Sequence, residues 1–233
     1  MSVLRSGLSL FNGLFDLLYP RLCVVCDCGL VGGEKYICSD CLAGFPLSDP
    51  VFDPGLDLLL AIDEPYRPEK FWSLFHYNKY SDYKKLIYAV KYHSKKDLGR
   101  YLGRILGERI KNDCKVDYLI PVPLHPKREK QRGFNQSYQI ALGMAEAMQV
   151  EVCDDVLVRA RNNVSQTGKN AEERHKNVEH IFELRDARKL MGCHILLIDD
   201  VVTTGATVTA CLKVLVEVPE LKCSLACLGR TRL

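Results

Sequence analysis

The clearest pattern along the chain is a continuous apolar run that gives way abruptly to acidic and then hydroxyl side chains, over residues 193–207. Ile195 to Ile198 are all apolar, as in a parallel strand covered on both faces. Residues 206–216 have apolar positions at helical spacing. The pattern predicts a buried strand, a polar loop and a helix, so the loop lies where open α/β sheets bind ligands.

Strand and helix patterns alternate through the second part of the chain. Strands are predicted at 71–77, 117–122, 156–159, 181–184, 195–199 and 225–228. Helices are predicted at 83–92, 98–110, 136–148 and 206–216. This alternation predicts an α/β fold with a mostly parallel sheet flanked by helices.

The first part of the chain divides into three segments. Residues 1–19 have the spacing of an amphipathic helix, which we expect to pack on the protein body; contact with a membrane or a partner is the alternative. The helix is too short and too polar to be a transmembrane segment. Residues 20–47 form a Cys/Gly-rich module and 48–70 a connector, so the main domain spans 71–233.

Composition adds one restriction to this scheme. The chain of 233 residues is 26% charged and 47% hydrophobic, as in globular proteins, and its net charge is only +3. Such a charge gives no strong overall attraction to nucleic acid, so anion binding has to be local.

The polar loop after the predicted strand has the groups that a sugar phosphate needs. A helix N-terminus attracts phosphate, the threonines of 203–207 add hydroxyl donors, and Gly205 permits close approach of the backbone. Asp199 and Asp200 can accept hydrogen bonds from a diol. A plain helix cap is the simpler interpretation, but two adjacent carboxylates repel each other and need a cation or hydroxyl donors. We therefore predict a ribose 5-phosphate site.

Four of the eleven cysteines form two closely spaced pairs, Cys23-x-x-Cys26 and Cys38-x-x-Cys41. Four thiolates suit a tetrahedral Zn²⁺ ion, and with every position filled by sulfur the role of the metal is structural. Cys28 is a fifth thiol that can replace Cys26 in one arrangement. An iron–sulfur cluster or a redox thiol pair are the alternatives. The odd total argues against a disulfide framework, and we expect a reducing cytoplasm.

A second candidate anion site begins at Pro121 to Leu124 and continues with four cations within residues 127–132. It follows a predicted strand, so in a parallel sheet it lies at the same edge as the acidic pair. A solvated basic loop is one interpretation. The other is a pyrophosphate site, because such a ligand needs cations and a bridging Mg²⁺ ion.

In this order, several motifs resemble the ComF/ComFC/GntX family of phosphoribosyltransferase-like proteins, from Pro20 to Arg230. They are the four-cysteine module, PVPL at 121–124, RGFNQ at 132–136, Arg159-x-Arg161, Gln166-Thr167-Gly168, Glu173-Arg174-x-x-Asn177-Val178, Phe182 and DDVVTTGAT at 199–207. The resemblance implies a type I phosphoribosyltransferase fold and a cytoplasmic protein. It also implies a role in natural transformation, where single-stranded DNA is delivered to the cytoplasm.

The resemblance also implies a ligand, 5-phosphoribosyl 1-pyrophosphate (PRPP), and a role for each motif. Asp199 and Asp200 would hold the ribose hydroxyls directly or through Mg²⁺ and, with Arg132, form the catalytic set. The 5-phosphate would be wrapped by Val201, Thr203, Thr204, Gly205, Ala206 and Thr207. The pyrophosphate would be held by Pro121, Val122, Pro123 and Leu124 with Lys127 or Arg132. Lys91 matches a lysine of the family pattern, with a partner that the sequence does not reveal.

Three functions remain open at this stage. The first is a PRPP-binding competence protein, in which the basic cluster of Lys91, His93, Lys95 and Lys96, with Tyr88 and Tyr92 beside it, contacts single-stranded DNA. The second is an active phosphoribosyltransferase with a nucleobase-like acceptor and no role in DNA uptake. The third is an adaptor whose cysteine module recruits a DNA-uptake helicase or channel component.

Overall fold

The computed structural model describes residues 20–48, 59, 62–76, 80–92, 95–159 and 181–230. The helix predicted at 1–19, much of the connector, His93 and the motifs between 161 and 178 lie outside the described residues. Within the described part of the chain, none of the helices combines the length and hydrophobicity that crossing a bilayer requires.

The described residues contain seven strands, and five of them form the main sheet. In chain order they are β1 (Phe71–His76), β2 (Tyr118–Pro121), β3 (Glu151–Val152), β4 (Leu157–Arg159), β5 (Phe182–Leu184), β6 (His194–Val202) and β7 (Lys222–Arg230). The main sheet has the order β1-β7-β6-β2-β3, and each neighbouring pair is parallel. The predicted parallel sheet is therefore confirmed, with the acidic strand β6 at its centre.

Helices cover both faces of this sheet. The α-helices are α1 (Ser39–Ala43), α2 (Lys84–Ala89), α3 (Lys96–Ile110), α4 (Pro126–Arg132), α5 (Gln136–Met148) and α6 (Ala206–Leu215), and a 3₁₀ helix spans Ala187–Leu190. Leu196 and Ile198 of β6 pack in one core with α2, α3 and α5. Ile195 and Leu197 pack in a second core with α6. This alternation explains why the strand is apolar without interruption.

Strands β4 and β5 differ from the parallel arrangement. They pair antiparallel with each other as a separate two-stranded sheet, with Leu157 opposite Leu184. Both strands were predicted, but the alternation did not predict that they pair antiparallel outside the main sheet. The segment that joins them, 160–180, lies outside the described residues.

Helices α3 and α5 approach each other along a glycine seam formed by Gly103 and Gly143. A Cβ atom added to Gly103 would overlap the carbonyl of Ile140, and one added to Gly143 would overlap the carbonyl of Arg100. The two backbones are thus in contact without intervening side chains. Only glycine fits at these two positions.

Candidate functional site

The acidic pair lies at the carboxyl end of β6 and is almost completely buried. Asp199 is 8% exposed and Asp200 is 7% exposed. The Ser137 hydroxyl donates to Asp199 Oδ1 at 3.2 Å, and the Asp200 backbone N–H donates to the same oxygen at 2.8 Å. The strand was predicted to end at Asp199, but β6 continues through Asp200 to Val202. The strand therefore fixes the backbone of both carboxylates.

Burying the two carboxyls side by side is electrostatically unfavourable. Burial, followed by the charge of Asp200, raises the pKa of Asp199 to about 7, although the Ser137 hydrogen bond and the charge of Lys91 act in the opposite direction. Asp200 Oδ2 is buried and accepts no hydrogen bond. A buried carboxylate oxygen without a hydrogen bond suits a hard cation, so the pair fits Mg²⁺ by its donor chemistry.

Lys91 is the residue whose partner the sequence did not reveal. It lies in the turn after α2, and its Nζ forms an ion pair with Asp200 Oδ2 at 3.3 Å. The side chain of Lys91 is 29% exposed, whereas that of Asp200 is 9% exposed. One cation therefore reaches the acidic pair from the side of the sheet that carries α2.

The threonine loop is short and ends in a helix start. Thr203 and Thr204 are exposed, as are Ala206 and Thr207, whereas Val201 is half-buried. Gly205 has φ of 75°, a left-handed conformation that favours glycine, and it begins α6 without a side-chain cap. The first N–H groups of α6 are thus free of side-chain partners within the described residues, as a phosphate site requires.

The PVPL loop, residues 121–124, lies directly beside the acidic pair. The Val122 N–H donates to the Ile198 carbonyl at 2.8 Å, next to Asp199 in β6. Asn135 donates from Nδ2 to the Val122 carbonyl at 3.0 Å, and its Oδ1 accepts from the Ser137 N–H at 3.0 Å. Asn135 and Ser137 therefore tie the PVPL loop, the start of α5 and the acidic pair together, a role that sequence reasoning missed.

The basic segment after the PVPL loop is a helix, α4, and not the loop we predicted. His125 caps it by accepting the Lys127 N–H at Nδ1, 3.1 Å away, and Gly133 ends it with φ of 79°. Lys127 is exposed and Arg132 is half-buried. Among the described residues neither side chain forms an ion pair with the acidic pair, so their proposed roles rest on sequence position.

A cleft of about 770 Å³ separates the PVPL loop from the β4–β5 pair. Its lining mixes aromatic, acidic and basic side chains, among them Phe134, Tyr138, Glu129, Asp154, Glu183, Arg159 and Arg185. Burial, and then the charge of Arg128, lowers the pKa of Arg159. No described carboxylate forms an ion pair with Arg159, whose guanidinium lies 5.4 Å from the Phe182 ring. Arg159, together with the nearby Arg128, thus offers positive charge to an anion at the PVPL loop.

The four cysteines of the two Cys-x-x-Cys pairs converge on one point. The Sγ atoms of Cys23, Cys26, Cys38 and Cys41 all lie within 4.8 Å of one another. Cys26 and Cys38 are 3.7 Å apart at sulfur, close to the edge of about 3.8 Å expected for four sulfurs around one zinc ion. The cluster fits a structural Zn²⁺ ion. Cys28 stays outside the set of four, although its Sγ lies 3.1 Å from that of Cys26.

Backbone N–H groups and a carboxylate support this cluster. The Cys38 N–H donates to Cys23 Sγ at 3.4 Å, and the Cys41 N–H donates to Cys38 Sγ at 3.5 Å. Glu34 accepts from the N–H groups of Val31 and Ser39 at 2.9 and 2.7 Å. Tyr36 and Ile37, which precede the second cysteine pair, are not part of a strand, and an isolated bridge joins Leu22 to Gly29.

Known proteins are similar in sequence to nearly the whole chain. No protein-family model matches the chain. Over 234 aligned residues it is 25% identical to the DNA utilization protein YhgH of Salmonella typhimurium, covering 92% of this chain and 99% of the relative. It is 26% identical to competence protein F of Haemophilus influenzae over 137 residues, 56% of this chain and 60% of the relative. It is 36% identical to competence protein ComFC of Bacillus subtilis over 99 residues, 42% and 38% of the two chains.

Solved structures with partial similarity include phosphoribosyltransferases. The allosteric regulatory enzyme of purine biosynthesis aligns at a TM-score of 0.39 and 16% identity over 55% of this chain and 26% of the enzyme chain, about a quarter of its length. A purine phosphoribosyltransferase from Pyrococcus horikoshii aligns at 0.35 and 11% identity, over 56% of this chain and 80% of the enzyme chain.

The described fold is a parallel sheet flanked by helices with an N-terminal four-cysteine cluster, as the sequence predicted. In sequence, the chain is similar to YhgH and to the competence proteins F and ComFC.

Proposed function

We propose that this protein binds PRPP with Mg²⁺ at the carboxyl end of β6 and acts in natural transformation, where single-stranded DNA is delivered to the cytoplasm. The observation that carries the ligand assignment is the buried acidic pair beside a free helix start. Asp200 Oδ2 is buried with the Lys91 ion pair but no hydrogen bond, and Gly205 opens α6 without a side-chain cap. The first feature suits a metal-bound diol and the second a phosphate.

In this proposal each part of PRPP has its own partners. Asp199 and Asp200 hold the ribose hydroxyls, directly or through Mg²⁺, and residues 203–207 surround the 5-phosphate. The pyrophosphate lies at the PVPL loop, where Arg159 supplies charge from the neighbouring cleft and Arg128 adds charge near Arg159. Mg²⁺ would neutralise phosphate charge when bound.

Titration calorimetry of PRPP in the presence of Mg²⁺ tests the site. We expect Asp199→Asn combined with Asp200→Asn to weaken binding at least tenfold, the effect of removing a pair of charged partners. Asp117→Asn is the matched control, because Asp117 accepts from the His194 N–H at the opposite end of the same strand, 2.8 Å away. Equal affinity of the double variant and the control would refute the site assignment.

The role in DNA uptake draws on the names of the relatives and on one surface. Tyr88 is 59% exposed and Tyr92 is 65% exposed. Lys95 and Lys96 follow them in sequence, and exposed aromatic rings among cations suit the stacking of unpaired bases.

An anisotropy titration with a labelled single-stranded oligonucleotide tests whether this surface binds DNA. We expect affinity to fall steeply with salt and to be lost in Tyr88→Ala with Tyr92→Ala. Affinity that is unchanged by salt and by both substitutions would contradict a role for this surface.

The cleft favours a second candidate function, an active phosphoribosyltransferase with a nucleobase-like acceptor. It offers the aromatic rings of Phe134 and Tyr138 next to Pro123 and Leu124 of the PVPL loop. Pyrophosphate release from PRPP, measured with a panel of nucleobases and with single-stranded DNA, distinguishes the candidates. Release with one acceptor establishes turnover, whereas no release with any acceptor favours the binding protein.

A further inference from the structure

Helix α2 and the residues that flank it contact both the cysteine module and the acidic pair, although these lie at different places in the fold. Tyr83, at its first end, donates from its hydroxyl to the Cys41 carbonyl at 2.8 Å. Lys85 donates to the Val25 carbonyl at 2.9 Å and forms an ion pair with Asp27 at 2.9 Å. Just beyond its last turn, Lys91 reaches Asp200.

The contacts to the cysteine module are made with the two knuckles themselves. Cys41 is one of the four clustered thiols, and Val25 lies between the clustered Cys23 and Cys26. The carbonyls that accept from α2 therefore belong to backbone that a bound metal would hold in place. Cys23 and Val25 are also buried in the same core as Leu86 and Val90 of the α2 segment.

Helix α2 depends on such contacts for its position. It spans six residues and has no side-chain N-cap and no acidic residue in its first turn. Helices of fewer than about 12 residues are marginal in isolation, so tertiary contacts determine where this one lies. The cysteine module supplies the three polar contacts of Tyr83 and Lys85 described above.

We propose that metal bound by the four cysteines fixes α2 and thereby holds Lys91 against Asp200, so that the cysteine module controls the charge at the acidic pair. Tyr83 and Lys85 are positioning residues in this arrangement. Loss of metal loosens the knuckles, releases the first turn of α2 and lets Lys91 withdraw. Asp200 is then left without its described counter-ion.

The reactivity of Lys91 toward an acylating reagent, followed by mass spectrometry, reports this coupling without any PRPP. We expect metal removal by a chelator to raise the labelling rate of Lys91 about two- to fivefold, the range set by a partly exposed ion pair. Lys85→Met should produce the same rise with metal still bound, and Lys85→Arg, which keeps a donor and a charge, should restore protection. Lys115 is the internal reference, because it is exposed and its Nζ donates to the Lys111 carbonyl of its own segment at 3.3 Å.

A second variant separates coupling from general unfolding. In Asp200→Asn the ion pair is absent, so Lys91 should be labelled fast whether metal is present or not. If metal removal accelerates Lys91 equally in Asp200→Asn and in the unsubstituted protein, the coupling is refuted. Protection of Lys91 that survives both chelation and Lys85→Met refutes it as well. Because no sugar phosphate enters the experiment, its outcome is independent of whether the site binds PRPP.

Discussion

At pH 7 the Asp199 carboxyl is close to half-protonated, because burial and the charge of Asp200 raise its pKa to about 7. A metal-bound or diol-bound carboxylate has to be ionised, so binding of PRPP with Mg²⁺ competes with this proton. With a pKa of about 7, the ionised fraction is about 9% at pH 6 and about 91% at pH 8. The contribution of Asp199 to the affinity should therefore increase about tenfold between pH 6 and pH 8.

Calorimetry at pH 6, 7 and 8 with a fixed, saturating Mg²⁺ concentration measures this dependence. Phosphate groups of the ligand also gain protons near pH 6, so the reference is Asp199→Asn, which retains the ligand contribution and lacks the carboxyl. The unsubstituted protein should show a rise about tenfold larger than that of the variant.

Substitution of Ser137 provides a second, independent test of the pKa of Asp199. Its hydrogen bond to Asp199 lowers the pKa of the carboxyl, so Ser137→Ala should raise that pKa and move the binding curve to higher pH. Parallel pH dependences for the unsubstituted protein and Asp199→Asn would refute the reasoning. A curve that moves to lower pH in Ser137→Ala would do the same.

Three further predictions concern stability and charge. Gly103→Ala should lower the free energy of unfolding by about 1–3 kcal/mol in urea denaturation, whereas Gly32→Ala, with nothing near its added Cβ, should not. The folded-state pKa of Asp199 lies above its unfolded value, so the protein loses stability as the pH rises toward 7 and this carboxyl ionises. Asp199→Asn does not ionise, so its free energy of unfolding relative to the unsubstituted protein should grow by about 1 kcal/mol from pH 6 to 8. Lys91→Met should strengthen Mn²⁺ binding, measured by paramagnetic relaxation, because the acidic pair loses its cation; weaker binding would contradict this.

The helices and strands that follow an apolar period were predictable, and those without one were not. Helix α5 has the predicted bounds, 136–148, because its buried residues recur at helical spacing. Helix α4 has no buried residue, so no apolar period marks it. Its signals were local: His125 before Pro126 at the start, and Gly133 after the last turn. Its consecutive charges suggested a solvated loop instead.

Strands β6 and β7 were predicted too short, at 195–199 and 225–228, for a related reason. The apolar run of β6 ends at Ile198, but backbone pairing with β7 continues to Val202 opposite Arg230. Hydrogen bonds between backbones do not depend on side-chain polarity, so a buried carboxylate remains in the strand when neighbours satisfy it. The antiparallel pairing of β4 with β5 depends on contacts distant in sequence, which a pattern of alternation does not specify.

The candidate site was predictable as a set of motifs and not as a set of contacts. The spacing of the two Cys-x-x-Cys pairs alone predicted that the four cysteines cluster, and they do. The link from Asn135 and Ser137 to Asp199 depends on how α5 lies over β2 and β6. The partner of Lys91 depends on α2, whose position is set by the cysteine module. Such relations arise from packing between distant segments, so no local pattern encodes them.

The glycine seam between α3 and α5 has a consequence for how the site tolerates sequence drift. During evolution, substitutions in the core change the volumes of side chains, and the helices and strands that they separate then shift slightly. At Gly103 and Gly143 the spacing is set by backbone atoms, which do not vary with sequence. Ser137 lies six residues before Gly143, less than two helical turns away. The glycine seam therefore keeps the position of the Ser137 hydroxyl beside Asp199 constant when side chains elsewhere in the core change.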